Sequence, residues 1–141
     1  MTKIINLNNG RSALDIGIKL LNLKKNTKIL VPEILCDVAI KVFLNNHLNI
    51  VYYKLKHRFE PIWSKLKKKN KKNIVAILMV HYFGYPQNIN KFKEFTKKNK
   101  IFLIEDNCHS LDISFNNKKL GQHGDIGIDS PRKIINKLFS G

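Results

Sequence analysis

An α/β fold, with a mostly parallel sheet and helices on both faces, is what this sequence predicts. Three observations carry that prediction. Helical and strand-like patterns alternate along the chain. Several runs of strand length are apolar without interruption, as strands covered on both faces require. Polar groups then follow directly on apolar runs, at His81-Tyr82, Glu105-Asp106 and Asp129-Ser130, and in such sheets ligands bind at the C-terminal strand ends.

The elements follow in order. Ser12 to Leu23 carries Leu14, Ile18 and Leu21 at helical spacing, with Ser12 as the expected cap and Asp15 in the first turn. Lys28-Ile29-Leu30-Val31 is a short strand stopped by Pro32. Val38 to Leu44 reads as a helix fading at Asn45-Asn46, and Ile50 to Tyr53 is rich in β-formers. Pro61 to Lys69 reads as a short basic helix with proline at its start. Asn73 to Met79 is a buried strand, followed by the turn Phe83-Gly84-Tyr85-Pro86. Ile89 to Lys98 is an amphipathic helix with Ile89, Phe92 and Phe95 on one side, and Ile101 to Ile104 is another buried strand. Leu111 to Phe115 and Asp125 to Ile128 are strand-like, separated by the turn Asn116-Asn117 and by Gly121.

The 141 residues suffice for one domain with a real core, and 43% of them are hydrophobic, which excludes a disordered chain. No apolar run approaches the roughly 18 residues of a membrane helix, and the N-terminus lacks the apolar stretch of a signal peptide. A cytoplasmic protein is expected. Cys36 and Cys108, the two cysteines, have neither metal spacing nor a disulfide framework and read as reduced, partly buried thiols.

The formal net charge is +16, which by itself suits a basic α/β nucleic-acid-binding module. Lysine far outnumbers arginine, however, and no aromatic-interleaved basic motif or zinc finger accompanies it. The densest run, Lys65 to Lys72, reads as a solvated helix end, where lysines complement the dipole. Nucleic acid is therefore not the expected partner.

Two short segments carry the chemistry. Ile104-Glu105-Asp106-Asn107-Cys108-His109-Ser110 places an acid just past a strand with a histidine three residues on, and Ser130-Pro131-Arg132-Lys133 places a lysine after another strand. A carboxylate against a pyridine nitrogen and a lysine on an aldehyde are what pyridoxal phosphate (PLP) requires. A phosphate is best taken at a helix start, and Asn9-Gly10-Arg11-Ser12 supplies one. Taken singly, each signal has a plainer reading: Asp106 as a cap or loop acid, Glu105-Asp106 as a magnesium site, His109 as a structural histidine, Lys133 as a surface lysine, and Gly10 as part of an ordinary capped helix.

The chain resembles the DegT/DnrJ-type sugar aminotransferases, which have the aspartate-aminotransferase fold. Gly10-Arg11-Ser12-Ala13-Leu14 is similar to their phosphate loop, Val31-Pro32 to the end of their next strand, and Val80-His81-Tyr82-Phe83-Gly84-Tyr85-Pro86 to a characteristic turn. Glu105-Asp106-Asn107-Cys108-His109 resembles their glutamate-aspartate motif, and Gly121-Gln122-His123-Gly124-Asp125 the stretch ahead of their lysine. The motifs stand in family order.

The resemblance implies PLP as cofactor. Lys133 would hold it and move the proton, Asp106 would pair with the ring nitrogen, and His109 would pack near the ring or its hydroxyl. Gly10, Arg11, Ser12 and Ser130 would take the phosphate, and no metal is implied. It implies amino transfer from an amino acid such as glutamate to a nucleotide-linked keto sugar, by a homodimer in the full-length family. Related members use PLP for sugar dehydration and usually replace the lysine by histidine, so Lys133 points to transamination. Cys36 stands roughly where many members carry an aromatic ring, and Ser130-Pro131-Arg132-Lys133 is a short form of the lysine segment. Family chains are more than twice as long, so residues 1–141 are expected to be the N-terminal portion of a PLP-binding large domain, with the small C-terminal domain absent. Such a chain is expected to be inactive alone, and a non-catalytic remnant of such an enzyme is the alternative.

Overall fold

The computed structural model describes residues 3–110 and 112–131. Its elements are α1 (Gly10–Leu20), β1 (Lys28–Pro32), α2 (Asp37–Asn45), β2 (Asn49–Tyr53), α3 (Trp63–Lys68), β3 (Ile74–Val80), α4 (Ile89–Asn99), β4 (Phe102–Asp106), β5 (Ser114–Phe115), β6 (Lys118–Lys119) and β7 (Ile126–Ile128). Five strands form one sheet in the order β2-β1-β3-β4-β7, and every neighbouring pair is parallel. The α/β expectation with a parallel sheet is met. The chain winds outward from β1 to β2, then crosses back to β3 and winds the other way. The strand order thus reverses between β1 and β3, and in sheets of this kind ligands bind beyond the strands' C-terminal ends near such a reversal.

The period of two along each strand divides the interior into two cores. Ile29, Val31, Ala76, Leu78, Val80, Ile104 and Ile128 meet Leu14 and Ile18 of α1 and Ala39 and Phe43 of α2. Leu30, Ile77, Met79 and Leu103 point the other way, against Leu66 of α3 and Ile89, Phe92 and Phe95 of α4. Trp63 meets Phe92 edge-on with centroids 5.0 Å apart, joining α3 to α4. Helices cover both faces, which is why β3 is almost wholly buried and reads as a continuous apolar run.

Several boundaries move for local reasons. The cap of the first helix is Asn9, not Ser12: the Asn9 side chain accepts the Ser12 N–H at 3.0 Å, and the helix starts at Gly10. Pro61 does not start α3 but bridges to Leu55, and the helix begins at Trp63. Of the stretch expected as a strand up to Phe115, Leu111 lies outside the described residues and only Ser114–Phe115 pairs, in a small antiparallel hairpin with Lys118–Lys119. Its turn is Asn116-Asn117, both at positive φ (48° and 58°), the geometry a tight hairpin demands. The lysine run does end a helix: Lys71 folds back and its Nζ donates to the carbonyls of Leu66 (2.8 Å) and Lys67 (2.9 Å), closing α3. No helix among the described residues is long and apolar enough to cross a membrane.

Candidate functional site

β4 delivers two adjacent acids to the C-terminal edge of the sheet, and alternation separates them. Glu105 is fully buried. Its Oε1 accepts the His81 ring Nε2–H (2.9 Å) and the Gly121 N–H (2.8 Å), and its Oε2 accepts the N–H groups of His123 (2.6 Å) and Gly124 (2.9 Å). His81 Nδ1 accepts the Gln87 N–H at 3.0 Å, which assigns the ring proton to Nε2. Burial pushes the Glu105 carboxyl up, but the bonds from His81, Gly121, Gly124 and His123 outweigh it and hold it below the ordinary glutamate value. These donors occupy both oxygens, so Glu105 and Asp106 do not converge as a magnesium pair. Among the described residues no cluster of three or more His, Cys, Asp or Glu side chains could hold a metal.

Asp106 is half-buried, and its Oδ1 accepts the Cys108 N–H at 2.9 Å, which fixes the turn after β4. That turn brings Cys108 to the start of α1. A Cβ added to Gly10 would lie 3.4 Å from Cys108 Sγ and 3.7 Å from the Ser130 Cβ, so the helix start is pressed against the ends of β4 and β7. The Asn107 N–H donates to the Ile128 carbonyl (2.8 Å) and ties the two strand ends together. Gly10, Asp106 and Ser130, predicted from separate parts of the chain, are therefore brought to one corner. Cys108, partly legible only as a buried thiol, is the residue that joins them.

Arg11 and Ser12 follow on the first turn of α1. Arg11 is exposed and Ser12 half-buried, and both border an open cavity of about 640 Å³ shared with Asn6, Asn9, Asp15 and Asn45. The Ser12 N–H is committed to Asn9, while Gly10 and Arg11 occupy the first turn, whose N–H groups have no partner within the helix. His109 is exposed, its ring 6.4 Å from Tyr82 and 6.0 Å from Phe83. Tyr82 stacks on Phe59 at 4.7 Å, and its hydroxyl donates to the Ile34 carbonyl. Burial, then the carboxylate of Asp106 with Cys36 and Glu33, pushes that phenol above its ordinary value. An aromatic wall thus comes from Tyr82 and Phe59 on the β3 side, and Cys36 itself is exposed. Lys133, with Arg132 before it, lies outside the described residues.

His81, Tyr82, Cys108, Gly121, His123 and Gly124 are visible in the sequence as parts of motifs or strand ends, but not which group each meets, and the capping role of Asn9 is hidden behind Ser12. A usable signal existed for Asn9, an asparagine three residues ahead of Ser12. For the loop around Glu105, built from backbone N–H groups, the only signal is its pair of glycines.

The model of the DegT/DnrJ/EryC1/StrS aminotransferase family matches residues 1–135. The chain belongs to this family. Among its relatives is a GDP-perosamine synthase of Vibrio cholerae, 22% identical over 85% of this chain and 33% of that protein. A GDP-4-keto-6-deoxy-D-mannose 3-dehydratase of Yersinia pseudotuberculosis is 27% identical over 74% of this chain and 27% of that protein. The family resemblance extends to solved structures. The Escherichia coli GDP-4-keto-6-deoxy-D-mannose-3-dehydratase with bound hydrated PLP superposes with a TM-score of 0.77 at 25% identity, over 87% of this chain and 33% of that one. An aminotransferase from Psychrobacter cryohalolentis gives 0.74 at 18% identity, over 82% and 30%. The chain thus spans about a third of the length of the relatives it matches.

Proposed function

We propose that this chain holds pyridoxal phosphate at the C-terminal ends of β4 and β7, in an enzyme that transfers an amino group from an amino acid such as glutamate to a nucleotide-linked keto sugar. The observation that carries the reading is the convergence of Gly10, Asp106 and Ser130 at one corner of the sheet, with the start of α1 aimed into it. The residues fit the cofactor. A helix start with uncommitted first-turn N–H groups and a glycine packed against Cys108 and Ser130 suits a phosphate. A half-buried carboxylate at the neighbouring strand end suits a protonated pyridine.

In this reading the Gly10 and Arg11 N–H groups and the Ser12 and Ser130 hydroxyls bind the phosphate. Asp106 keeps a proton on the ring nitrogen, and His109, beside Tyr82 and Phe83, packs against the ring. The bound cofactor supplies an electron sink. Lys133 would hold its aldehyde and, through Nζ, would serve as the general acid/base that moves the proton. Partnership as a homodimer belongs to the same proposal.

Titration of the purified chain with PLP, followed by borohydride reduction and peptide mass spectrometry, tests the cofactor part. The expected result is a saturable absorbance change and cofactor mass on the peptide holding Lys133, both lost in Lys133→Ala. An unmodified Lys133 would sink it. A second reading, PLP-dependent sugar dehydration, is favoured by one observation: two 3-dehydratase relatives are 27% and 29% identical, against 22% for the perosamine synthase. Product analysis with a nucleotide-linked keto sugar and glutamate separates the two, an amino sugar supporting transfer and a deoxygenated sugar supporting dehydration.

A further inference from the structure

We infer that Glu105 is a positioning residue: its carboxylate is the internal anion around which the Gly121–Gly124 loop is wound, and through that loop it sets the path of the chain into β7 and Ser130. The cofactor consequence rests on the proposed PLP reading; the loop consequence does not.

The geometry has three parts. First, Glu105 collects donors from two segments far apart in sequence: the His81 turn after β3 and three backbone N–H groups of one four-residue loop. Successive N–H groups turned inward form a concave anion site, and here the anion is a side chain of the protein itself. Second, the loop fits tightly only because its ends are glycines. Gly121 has φ +85°, and a Cβ on Gly124 would come 2.7 Å from the Leu103 carbonyl oxygen and 2.8 Å from that of Ile126. The glycine-x-x-glycine spacing is thereby explained as the loop that closes on Glu105. Third, Asp125 fastens the far end: its Oδ2 accepts the Leu103 N–H at 2.7 Å and its N–H donates to the Leu103 carbonyl at 2.8 Å. From there β7 runs directly to Ser130, which packs on Gly10. Asp106 leaves the same strand one residue later, toward the α1 side. One buried carboxylate therefore sets the relation between the Asp106 strand and the Ser130 strand.

The test uses the full chain. In Glu105→Gln one oxygen becomes an NH2 group facing N–H donors, so amide hydrogen exchange at Gly121, His123 and Gly124 is expected to quicken about tenfold or more, while Leu30 in the central sheet keeps its protection. Unchanged exchange in the loop overturns the inference. Should the Gln variant not fold, Glu105→Asp, which keeps the charge but shortens the reach, is measured instead with the same expectation. For the cofactor arm, Glu105→Gln is compared with Phe92→Leu, a change in the core on the same α3/α4 side. A roughly tenfold weaker PLP Kd for the Gln variant alone supports positioning; equal weakening in both variants reduces Glu105 to general stability and overturns it. Failure of the wild-type chain to bind PLP removes the cofactor reading, and the exchange measurement still decides the loop.

Discussion

Glu105 and Asp106 are chemically near-identical neighbours on one strand, yet the fold treats them as opposites. Glu105 faces the α3/α4 side with both oxygens taken by four donors and no exposed surface. Asp106 faces the α1 side, half-exposed, its Oδ1 taken by one backbone N–H of its own turn. A saturated buried carboxylate is a structural part, because a further ligand would have to displace bonds already made. An acid held in place but open on one side is available to a ligand. The lesson concerns the whole edge: one side of β4 and β7 is a fastening, and the other is the side on which the cofactor is proposed to sit.

The largest effect should come from breaking the fastening. Glu105→Gln is expected to lower unfolding free energy by about 3 kcal/mol, since it strands buried donors, measured by urea denaturation. The sign with pH follows. The folded carboxyl is held below the ordinary glutamate value of 4.5, so its stabilisation is full above that value and is lost as pH falls through the folded one. The wild-type advantage over the Gln variant should therefore shrink on acidification below 4.5 and persist at neutral pH.

Asp106→Asn should do the reverse. It keeps the oxygen that accepts the Cys108 N–H, so stability is expected to stay within about 1 kcal/mol. PLP affinity is expected to fall about tenfold to a hundredfold through loss of a charge-assisted bond; equal affinity in a PLP titration would erase the proposed distinction.

Smaller changes sharpen the contrast. Asn9→Ala removes the side-chain cap of α1 and should cost about 1 kcal/mol by thermal unfolding. Asp129→Asn should cost nothing or slightly stabilise, within about 0.5 kcal/mol. Desolvation against the neighbouring backbone, and then the charges of Glu105 and Asp106, raise its carboxyl above the ordinary value despite the bond from Asn107. A raised acid burdens the fold above its folded pKa and is relieved as pH falls, opposite in sign to Glu105.

Much of this was legible along the chain. The apolar runs of β3 and β4 announced strands covered on both faces, because no other environment tolerates uninterrupted apolar sequence of that length. The order of glycine loop, His81 turn, acid motif and second glycine loop named the family, and residues 1–135 match its model. Less legible were features made by backbone. Ser12 competes with Asn9 for the capping role in the sequence, and Pro61 has the pattern of a helix start although its bridge to Leu55 claims it. The loop on Glu105 left only two glycines as its trace.

By itself the sequence determined the class of fold, the strand ends that would carry polar groups, and the residue types suited to a PLP site, because periodicity and motif order are local properties. The tertiary structure alone decided which of two adjacent acids would be consumed as an internal anchor. It also decided that Gly10, Cys108, Asp106 and Ser130 would share a corner. Those outcomes depend on strand order and on where N–H groups of distant loops arrive, which no local pattern encodes.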